Sequence, residues 1–512
     1  MSSQIVDASD VALSGGTGLV VLDGVGFGVT DVVRLADGDA RPVPGTDAMK
    51  RATDSWDAAR QIAATGRVYG RSTGVGANRN EDVPTEAAAE HGLRLLRSHA
   101  GAIGDELPAR EVRAMLAVRA NQLLAGGAGL RPTVVTALCE ALENGVYPVV
   151  NEFGSVGTGD IAALAQVGLA LVGEHAWRGV FGGPGLVGVP EPQPLDNNDA
   201  LALISSNALT LGQSALALHE LRGLIGATQV VGALSLLAVD GSHEPFAAPV
   251  HAARPHRGST EVARRMRELI GAADRPTPPL GRIQDPYGFR CLPQIHGPAH
   301  DAADALEEVL AIEINAAAEN PFISAEDMTA YHHGGFYQAQ LVLALDHFRL
   351  ALTQVARLST SRLSSLNEPA FTRLKPFLAD NEAASSGVMI LEYAAAAALG
   401  DLRAFSAPAS LGHAVLSRGV EEQASFASLA ARQTLRACRA YRLVVGCELV
   451  AAVRALRQRD LRPDPELPVG RALELAESVL DDGTADRPLT DDVTAAAGLL
   501  DRFTDIWRGS TS

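Results

Sequence analysis

Apolar residues recur at helical spacing through most of the chain. The clearest pattern alternates spacings of four and three residues, which is typical of a seam between packed helices. Its members are Leu341, Leu345, Phe348, Leu352 and Val355. Residues 420–461 contain no proline and a single glycine, so they predict one or more long helices. These patterns favour a mainly all-α fold built around a long central helix bundle.

A strand pattern stands out only near the N-terminus. The apolar run Leu19–Leu22 predicts a short strand, and Thr30 is placed to cap the helix that follows. Further on, glycine and proline crowd residues 178–194, which indicates a surface excursion. We therefore predict a small mixed N-terminal part, residues 1–195, followed by a helical bundle with C-terminal helices, residues 196–512.

Composition excludes several classes of partner. The chain has 43 basic and 60 acidic residues in 512, a formal charge of -17, which argues against nucleic acid and anionic membranes. Its four cysteines lack CxxC spacing, which predicts neither a disulfide framework nor a zinc site and fits the reducing cytoplasm. We expect no signal peptide, because the N-terminus lacks a basic and then apolar segment.

Membrane insertion is not expected either. The most apolar region, residues 201–239, is interrupted by His219, Glu220 and Arg222. A membrane span needs about 20 apolar residues, so this region predicts a helix buried inside the protein.

One glycine-rich loop has unusual chemical potential. Gly157-Thr158-Gly159 precedes Asp160, a candidate N-cap, and then a helical pattern, so the loop lies at the positive end of a helix. A glycine amide is unhindered for ring closure onto a nearby carbonyl, and a neighbouring hydroxyl residue can lose water. The product would be a five-membered electrophilic ring. The alternative is an ordinary turn before a buried helix.

A second motif runs from Gln284 to Gly297. Within it, the planar guanidinium of Arg290 suits a substrate carboxylate, although it could instead pair with a protein carboxylate. Gln284 and Tyr287 supply polar groups that could orient a substrate. His296 and His300 are spaced i, i+4, which could suggest a metal pair, but no third ligand is evident, so we expect no metal.

These stretches resemble the aromatic amino acid ammonia-lyases, a family that includes histidine, phenylalanine and tyrosine ammonia-lyases and aminomutases. The family loop reads Gly-Ser-Val-Gly-Ala-Ser-Gly-Asp, and its Ala-Ser-Gly cyclises to methylidene-imidazolone (MIO). Here Gly154–Gly157 and Gly159-Asp160 match, one residue is missing, and Thr158 stands in place of Ala-Ser. The resemblance implies an MIO-type group from Gly157, Thr158 and Gly159. The shorter loop and the β-branched threonine disfavour ring closure. The alternative is that these three residues remain an unmodified peptide.

The resemblance also implies residue roles. Tyr69 heads a loop similar to the family's Tyr-Gly-x-x-Thr-Gly-x-Gly and would be the catalytic base, with Tyr287 as a second catalytic residue. Arg290 would bind the carboxylate. The remaining candidates for substrate binding are His99, Ser205, Asn207, Gln284 and Glu421.

The motifs span roughly residues 20–460. By resemblance the fold is the helical bundle of the ammonia-lyase and fumarase type, and the assembly is a homotetramer with shared active sites. Three hypotheses follow. The first and preferred one is elimination of ammonia from an aromatic or histidine-like L-amino acid, giving an α,β-unsaturated acid. An aminomutase would use the same residues.

The second hypothesis is an MIO-less lyase or addition enzyme with a different substrate, for example a trimethylammonium betaine, whose nitrogen leaves readily and has no lone pair. It is favoured by departures from the family pattern at Thr158, Ser205, Gly335 and Tyr337. The third is a catalytically silent homologue. The retained Tyr69, Gln284, Tyr287 and Arg290 argue against it.

Overall fold

The computed structural model describes residues 18–180, 186–278 and 281–509. The chain divides into two compact units, neither of them continuous in sequence. The first comprises Met1–His219, Leu306–Leu345 and Pro408–Arg432, and the second comprises Glu220–Ala305, Asp346–Ala407 and Gln433–Ser512. The boundary predicted after residue 195 falls inside the first unit, so it does not separate these two units.

The structure is mostly helical, as the periodicity predicts. The helices are α1 (Val29–Asp37), α2 (Thr46–Thr65), α3 (Ala88–His99), α4 (Ala109–Leu124), α5 (Thr133–Glu143), α6 (Ile161–Leu171), α7 (Ala200–Ile204), α8 (Ala208–Ala238), α9 (Ala248–Ala252), α10 (Arg257–Ile270), α11 (Tyr287–Arg290), α12 (Leu292–Glu313), α13 (Ala339–Leu366), α14 (Pro369–Thr372), α15 (Ile390–Phe405), α16 (Ala427–Gln458), α17 (Pro468–Glu477) and α18 (Thr490–Arg508). The residues predicted to form a helix seam lie in α13 and are all buried.

Among the described residues, every strand belongs to the first unit and every sheet has two strands. The pairs are β1 (Gly18–Leu22) with β2 (Ala40–Pro44), β3 (Ile103–Glu106) with β5 (Asn151–Phe153), β4 (Val146–Pro148) with β6 (Trp177–Gly179), and β7 (Phe322–Ser324) with β8 (Thr329–Tyr331). Only β1 and β2 run parallel, with Gly18 opposite Ala40, and α1 provides the crossover that a parallel pair needs. This confirms the strand predicted at Leu19–Leu22.

Two predicted helix caps differ in the structure. Helix α1 begins at Val29 with Gly28 as its N-cap, so the prediction that Thr30 caps this helix is wrong. The Asp31 carboxylate accepts the Gly28 N–H at 3.2 Å, which supplies the cap from inside the helix. Asp160 does stand at the N-cap of α6, but its side chain makes no capping hydrogen bond to the described residues of that helix. Residues 181–185 of the predicted surface excursion lie outside the described residues.

The core of the first unit holds a buried ion pair that supports the site. Helix α4 is buried without interruption from Val112 to Leu124. From it, Arg119 pairs with Glu319 at 2.7 Å, and the two side chains are 1% and 2% exposed. The guanidinium of Arg119 also donates to the carbonyl oxygens of Ala202 and Leu203. These carbonyls end α7, where backbone oxygens lack helical partners, so the arginine fixes the turn that follows.

The second unit is built around a different buried pair. Arg362 of α13 and Glu448 of α16 are both fully buried and form two hydrogen bonds of 2.6 and 2.8 Å. The hydroxyls of Ser235 and Ser359 complete the shell of the carboxylate. A fully paired and hydrogen-bonded ion pair is the form in which charge is tolerated inside a helical core.

One segment of the described residues, Ala200–Ala238, has the length and apolar composition of a membrane span. Most of it is buried inside the protein, as in the core helix of a globular protein. Length and composition alone are weak evidence for a membrane helix.

Candidate active site

The glycine loop before α6 is held in an unusual backbone conformation. Gly157 and Gly159 have φ values of +87° and +116°, which residues with a Cβ rarely adopt. The Gly159 carbonyl oxygen accepts the Ser155 hydroxyl at 3.1 Å, and the same hydroxyl oxygen accepts the Gly157 N–H at 3.1 Å. Thr158, between the glycines, faces a cavity.

Asp160 anchors the end of this loop. Its fully buried carboxylate accepts the backbone N–H of Thr210 at 2.7 Å and the Thr210 hydroxyl at 2.9 Å. Burial raises the pKa of Asp160, and the hydrogen bonds from Thr210 act in the opposite direction. Asp160 N–H also donates to the Ser206 carbonyl at 2.7 Å. The carboxylate therefore ties the loop to the start of α8.

The other side of the loop rests on the start of α16. The Ser425 hydroxyl donates to the Gly157 carbonyl oxygen at 2.6 Å, and Phe426 N–H donates to the Val156 carbonyl at 2.7 Å. A Cβ on Gly157 would lie 2.7 Å from the backbone nitrogen of Ala427. Position 157 therefore requires glycine both for its backbone angle and for this close approach.

The turn between α7 and α8 supplies polar groups. The Asn207 side-chain oxygen accepts the Gly159 N–H at 3.0 Å, while its amide donates to the Phe336 carbonyl at 2.8 Å. The Ser205 hydroxyl accepts the N–H of Asn320 at 3.0 Å. Asn207 thus contacts the loop directly, and Ser205 keeps its own hydroxyl hydrogen for another acceptor.

Tyr69 points into the same cavity. Its hydroxyl oxygen accepts the backbone N–H of Gly76 at 2.8 Å. Burial raises the pKa of Tyr69 and outweighs the Gly76 N–H, which favours the phenolate. Glu421 raises the pKa further, and Arg79 lowers it. The Glu421 segment packs on the Tyr69 loop: the Ser417 hydroxyl accepts the Ala77 N–H at 3.0 Å, and Leu416 N–H donates to the Glu421 carbonyl at 2.8 Å.

The cavity has a volume of about 490 Å³. Five predicted site residues line it: Tyr69, Thr158, Gly159, Ser205 and Glu421. Two more do not line it: Gly157 is part of the loop and is held by Ser425, and Asn207 accepts the Gly159 N–H. The structure therefore brings together four stretches that are distant in sequence, around residues 69, 157–159, 205–207 and 421.

Several lining residues were missing from the predicted set. They are Arg79, His332, Phe336, Tyr337 and Glu422. The ring of His332 stands edge-on to that of Tyr69, with centroids 6.4 Å apart. The segment from His332 to Tyr337 could have been found, since it falls where the family has Gly-Gly-Asn-Phe-His-Gly. No motif marks Arg79, because the pattern that begins at Tyr69 ends at Gly76, three residues earlier.

His99 lies elsewhere within the first unit. It lines a separate cavity with Gly74 and His91, and its Nδ1 is 2.9 Å from the Leu95 carbonyl. It is not among the described residues that line the Tyr69 cavity. Its role in substrate binding stays a prediction.

The motif with Gln284, Tyr287 and Arg290 belongs to the second unit. Tyr287 is 67% exposed, and its neighbour Ile283 is 92% exposed. The Arg290 guanidinium carbon lies 4.5 Å from the centre of the Tyr287 ring, and Arg290 Nε has no hydrogen-bond partner among the described residues. Within the described part of the chain, none of the three lines the Tyr69 cavity.

No group of three or more histidine, cysteine or acidic residues in the described ranges could hold a metal ion. The two histidines spaced i, i+4, His296 and His300, have other surroundings. His300 stacks on Trp507, and its Nε2 is 2.7 Å from the Gln229 amide nitrogen. His296 is completely buried, which lowers its pKa well below the usual value.

Comparison with known proteins agrees with these motifs. The sequence profile named aromatic amino acid lyase matches residues 27–478. Histidine ammonia-lyase of Geobacillus kaustophilus is 34% identical over 454 residues, covering 86% of this chain and 89% of that protein. The ergothioneine-degrading enzyme ergothionase of Treponema denticola superposes with a TM-score of 0.88 at 25% identity, covering 95% of this chain and 99% of the other.

Tyrosine aminomutase of Streptomyces globisporus also superposes with a TM-score of 0.88, at 26% identity, covering 96% of this chain and 99% of the other. The helical fold is therefore that of the ammonia-lyases, as the motifs predict. With a profile match over most of its length and the Tyr69 and glycine loops facing one cavity, this chain belongs to the aromatic amino acid lyase family and is a carbon–nitrogen lyase.

Proposed function

We propose that the enzyme eliminates an amine from the α-carbon of a histidine-like or aromatic L-amino acid, with Tyr69 as the base that removes a β-proton. The product is the α,β-unsaturated acid. The observation that carries the proposal is that Tyr69 lines the same cavity as Thr158 and Glu421. The relatives compared above are named for histidine, ergothioneine and tyrosine, so family membership alone does not choose the substrate.

The hydrogen bond from Gly76 explains how Tyr69 could act. Because its oxygen already accepts the Gly76 N–H, the hydroxyl hydrogen points elsewhere, and the phenolate form has a fixed donor. An unperturbed tyrosine has a pKa of about 10, and here the pKa is raised. A positively charged substrate nitrogen in the cavity would favour the phenolate and so offset the effects of burial and Glu421.

The residues do not fit the family's prosthetic group. Ring closure would join the amide nitrogen of Gly159 to the carbonyl carbon of Gly157. Here the Gly157 carbonyl accepts a hydrogen bond from Ser425, and the Gly159 N–H donates to Asn207, so each reacting group is held by a different partner. The loop is one residue shorter than the family's, and Thr158 is β-branched. No step of the proposed elimination therefore passes through an MIO group.

We infer that Arg290, Gln284 and Tyr287 complete the site of another copy of the chain, in a homotetramer. Support comes from the exposure of Tyr287 and Ile283 and from the buried Arg290 Nε, which has no hydrogen-bond partner in the described part of the chain. In this arrangement the Arg290 fork would bind the substrate carboxylate, and Tyr287 would be the second catalytic residue.

On the near side of this site, Ser205 and Glu421 would contact the substrate, and Asn207 would position the loop. We also propose a cytoplasmic location, which is supported by the thiol state of all four cysteines.

Replacing Tyr69 by phenylalanine tests the base. Tyr69→Phe keeps the ring and removes the hydroxyl, so kcat for amine release should fall by at least roughly a hundredfold while the fold is retained. The control is Tyr393→Phe, at an exposed tyrosine on α15. Parent-like turnover by Tyr69→Phe would show that another group removes the proton.

Shared sites can be tested by mixing inactive variants. If Tyr69 of one copy and Arg290 of another form one site, Tyr69→Phe and Arg290→Lys should each be inactive alone. Unfolding and refolding the two together would create some sites with both original residues. Recovery of activity is expected in the mixture. Its absence, with assemblies of mixed composition proven by mass, would place both residues in a site made by one chain.

A further inference from the structure

The Tyr69 cavity combines aromatic rings with excess negative charge. Three aromatic side chains line it, those of Tyr69, Phe336 and Tyr337. Two carboxylates, Glu421 and Glu422, line it together with a single guanidinium, that of Arg79, so carboxylates outnumber guanidinium groups there. The Arg79 guanidinium also donates a hydrogen bond to the Gly76 carbonyl oxygen, 3.4 Å away, so it is only partly available to the carboxylates. Ring faces and carboxylates together attract a cation that cannot donate hydrogen bonds.

We propose that the substrate is an amino acid betaine whose leaving nitrogen is a trimethylammonium group, and that Gly157-Thr158-Gly159 works as unmodified peptide. This inference rests on the proposed elimination and names its substrate class. A primary amine is a poor leaving group and needs activation by an electrophile. A quaternary nitrogen has no lone pair to add to an electrophile, and it departs as a neutral amine without one.

The engaged loop supports this choice. Ser425 and Asn207 hold the two groups that ring closure would have to bring together. Left unmodified, Thr158 presents a hydroxyl and a methyl group to the cavity rather than an electrophilic carbon. The site then needs a substrate whose nitrogen is a good leaving group without activation by an electrophile.

The reaction balances without any co-reactant. The Tyr69 phenolate takes the β-proton, and the C–H electron pair becomes the second bond between the α- and β-carbons. The C–N bond breaks, and its electron pair leaves with the nitrogen as trimethylamine. Tyr69 ends as the neutral phenol and must lose its proton to solvent before the next turnover.

Two measurements on the purified full-length enzyme test the proposal. The intact mass is compared with the mass of the encoded sequence. L-Histidine, L-tyrosine, L-phenylalanine and the trimethylammonium betaine of each are then supplied separately, and released ammonia or trimethylamine is followed by proton NMR. We expect an unmodified mass and amine release from a betaine but not from its parent amino acid.

The possible failures are distinct. Turnover of an amino acid in preference to its betaine, whatever the mass of the protein, overturns this inference and leaves the proposed elimination standing. No amine release from any of the six compounds overturns both. Turnover of a betaine by a protein that has lost two waters would contradict the unmodified loop alone.

A ring variant separates cation recognition from folding. Tyr337→Leu removes one aromatic face and should raise KM for the betaine roughly tenfold. Tyr337→Phe keeps the face and should restore a parent-like KM. Equal KM values for the leucine and phenylalanine variants would show that this ring does not recognise the cation.

Discussion

The hydroxyl oxygen of Tyr69 accepts the backbone N–H of Gly76, seven positions further along the chain, at 2.8 Å. Such a donor favours the phenolate and cannot be removed by changing a side chain. Its effect on the pKa is outweighed by burial. Two charged neighbours act in opposite directions, since Glu421 raises the pKa of Tyr69 and Arg79 lowers it.

The pH dependence of catalysis should report this balance. If the phenolate is the base, kcat/KM rises with pH until Tyr69 is ionised in the free enzyme. Glu421→Gln removes a charge that raises the pKa, so the rise should move to lower pH. Arg79→Gln should move it to higher pH. Shifts of both variants in the same direction would mean that a different group controls the profile.

Breaking the buried pair between Arg119 and Glu319 should strongly destabilise the first unit. Glu319→Gln leaves the arginine charge buried without its counter-ion and should cost about 3–5 kcal/mol of unfolding free energy. Asp54→Asn is the control, since its pair with Lys50 is exposed, and it should change stability by under about 0.5 kcal/mol. Urea unfolding measures both, and equal effects would show that burial does not strengthen the role of the pair.

Acid should destabilise the protein through His300. Burial lowers the pKa of His300 to about 4, and its Nε2 faces the Gln229 amide, which suits the neutral ring. The unfolded chain binds this proton near pH 6.5. Stability is therefore unaffected above that pH and falls as the pH drops from 6.5 towards 4. His300→Gln should flatten this fall in thermal midpoint, and an unchanged slope would contradict the assignment.

Two glycine variants should act in opposite directions. Gly157→Ala places a Cβ against the backbone of Phe426 and Ala427 at a positive φ, so the thermal midpoint and the activity should both fall. Gly498→Ala lies in α18, where a Cβ would meet no described atom within 4 Å, and it should stabilise by about 0.5–1 kcal/mol. Calorimetry of both variants checks the pair. A stabilising Gly157→Ala would mean that the loop has room to move.

Periodicity predicted the helices well because burial repeats along them. The seam from Leu341 to Val355 lies in one helix, and Leu19–Leu22 lies in a strand. Caps were harder to predict. The pattern places Asp160 at the start of α6, but a nearby sequence cannot reveal that Thr210, fifty residues later, supplies its hydrogen bonds.

The candidate site likewise contains residues that motifs predicted and residues that they did not. Tyr69, Thr158 and Glu421 were predicted from motifs, and the structure brings them to one cavity. Arg79 carries no motif, and Glu422 was not selected although it follows Glu421 in the sequence. The place of both residues depends on how residues 76–79 and 416–423 pack together. His99, by contrast, has a motif but lines another cavity.

The hydrogen bonds that fix the loop around Gly157 have a consequence for protein engineering. Inserting an alanine before Thr158 would restore the family's loop length on paper. The loop, however, is fixed at Val156 by Phe426 and at Asp160 by Thr210, so an added residue would have to bulge into the cavity. A transplant that aims to install the family's electrophile therefore has to exchange three segments as one cassette: residues 154–160, 205–210 and 425–428.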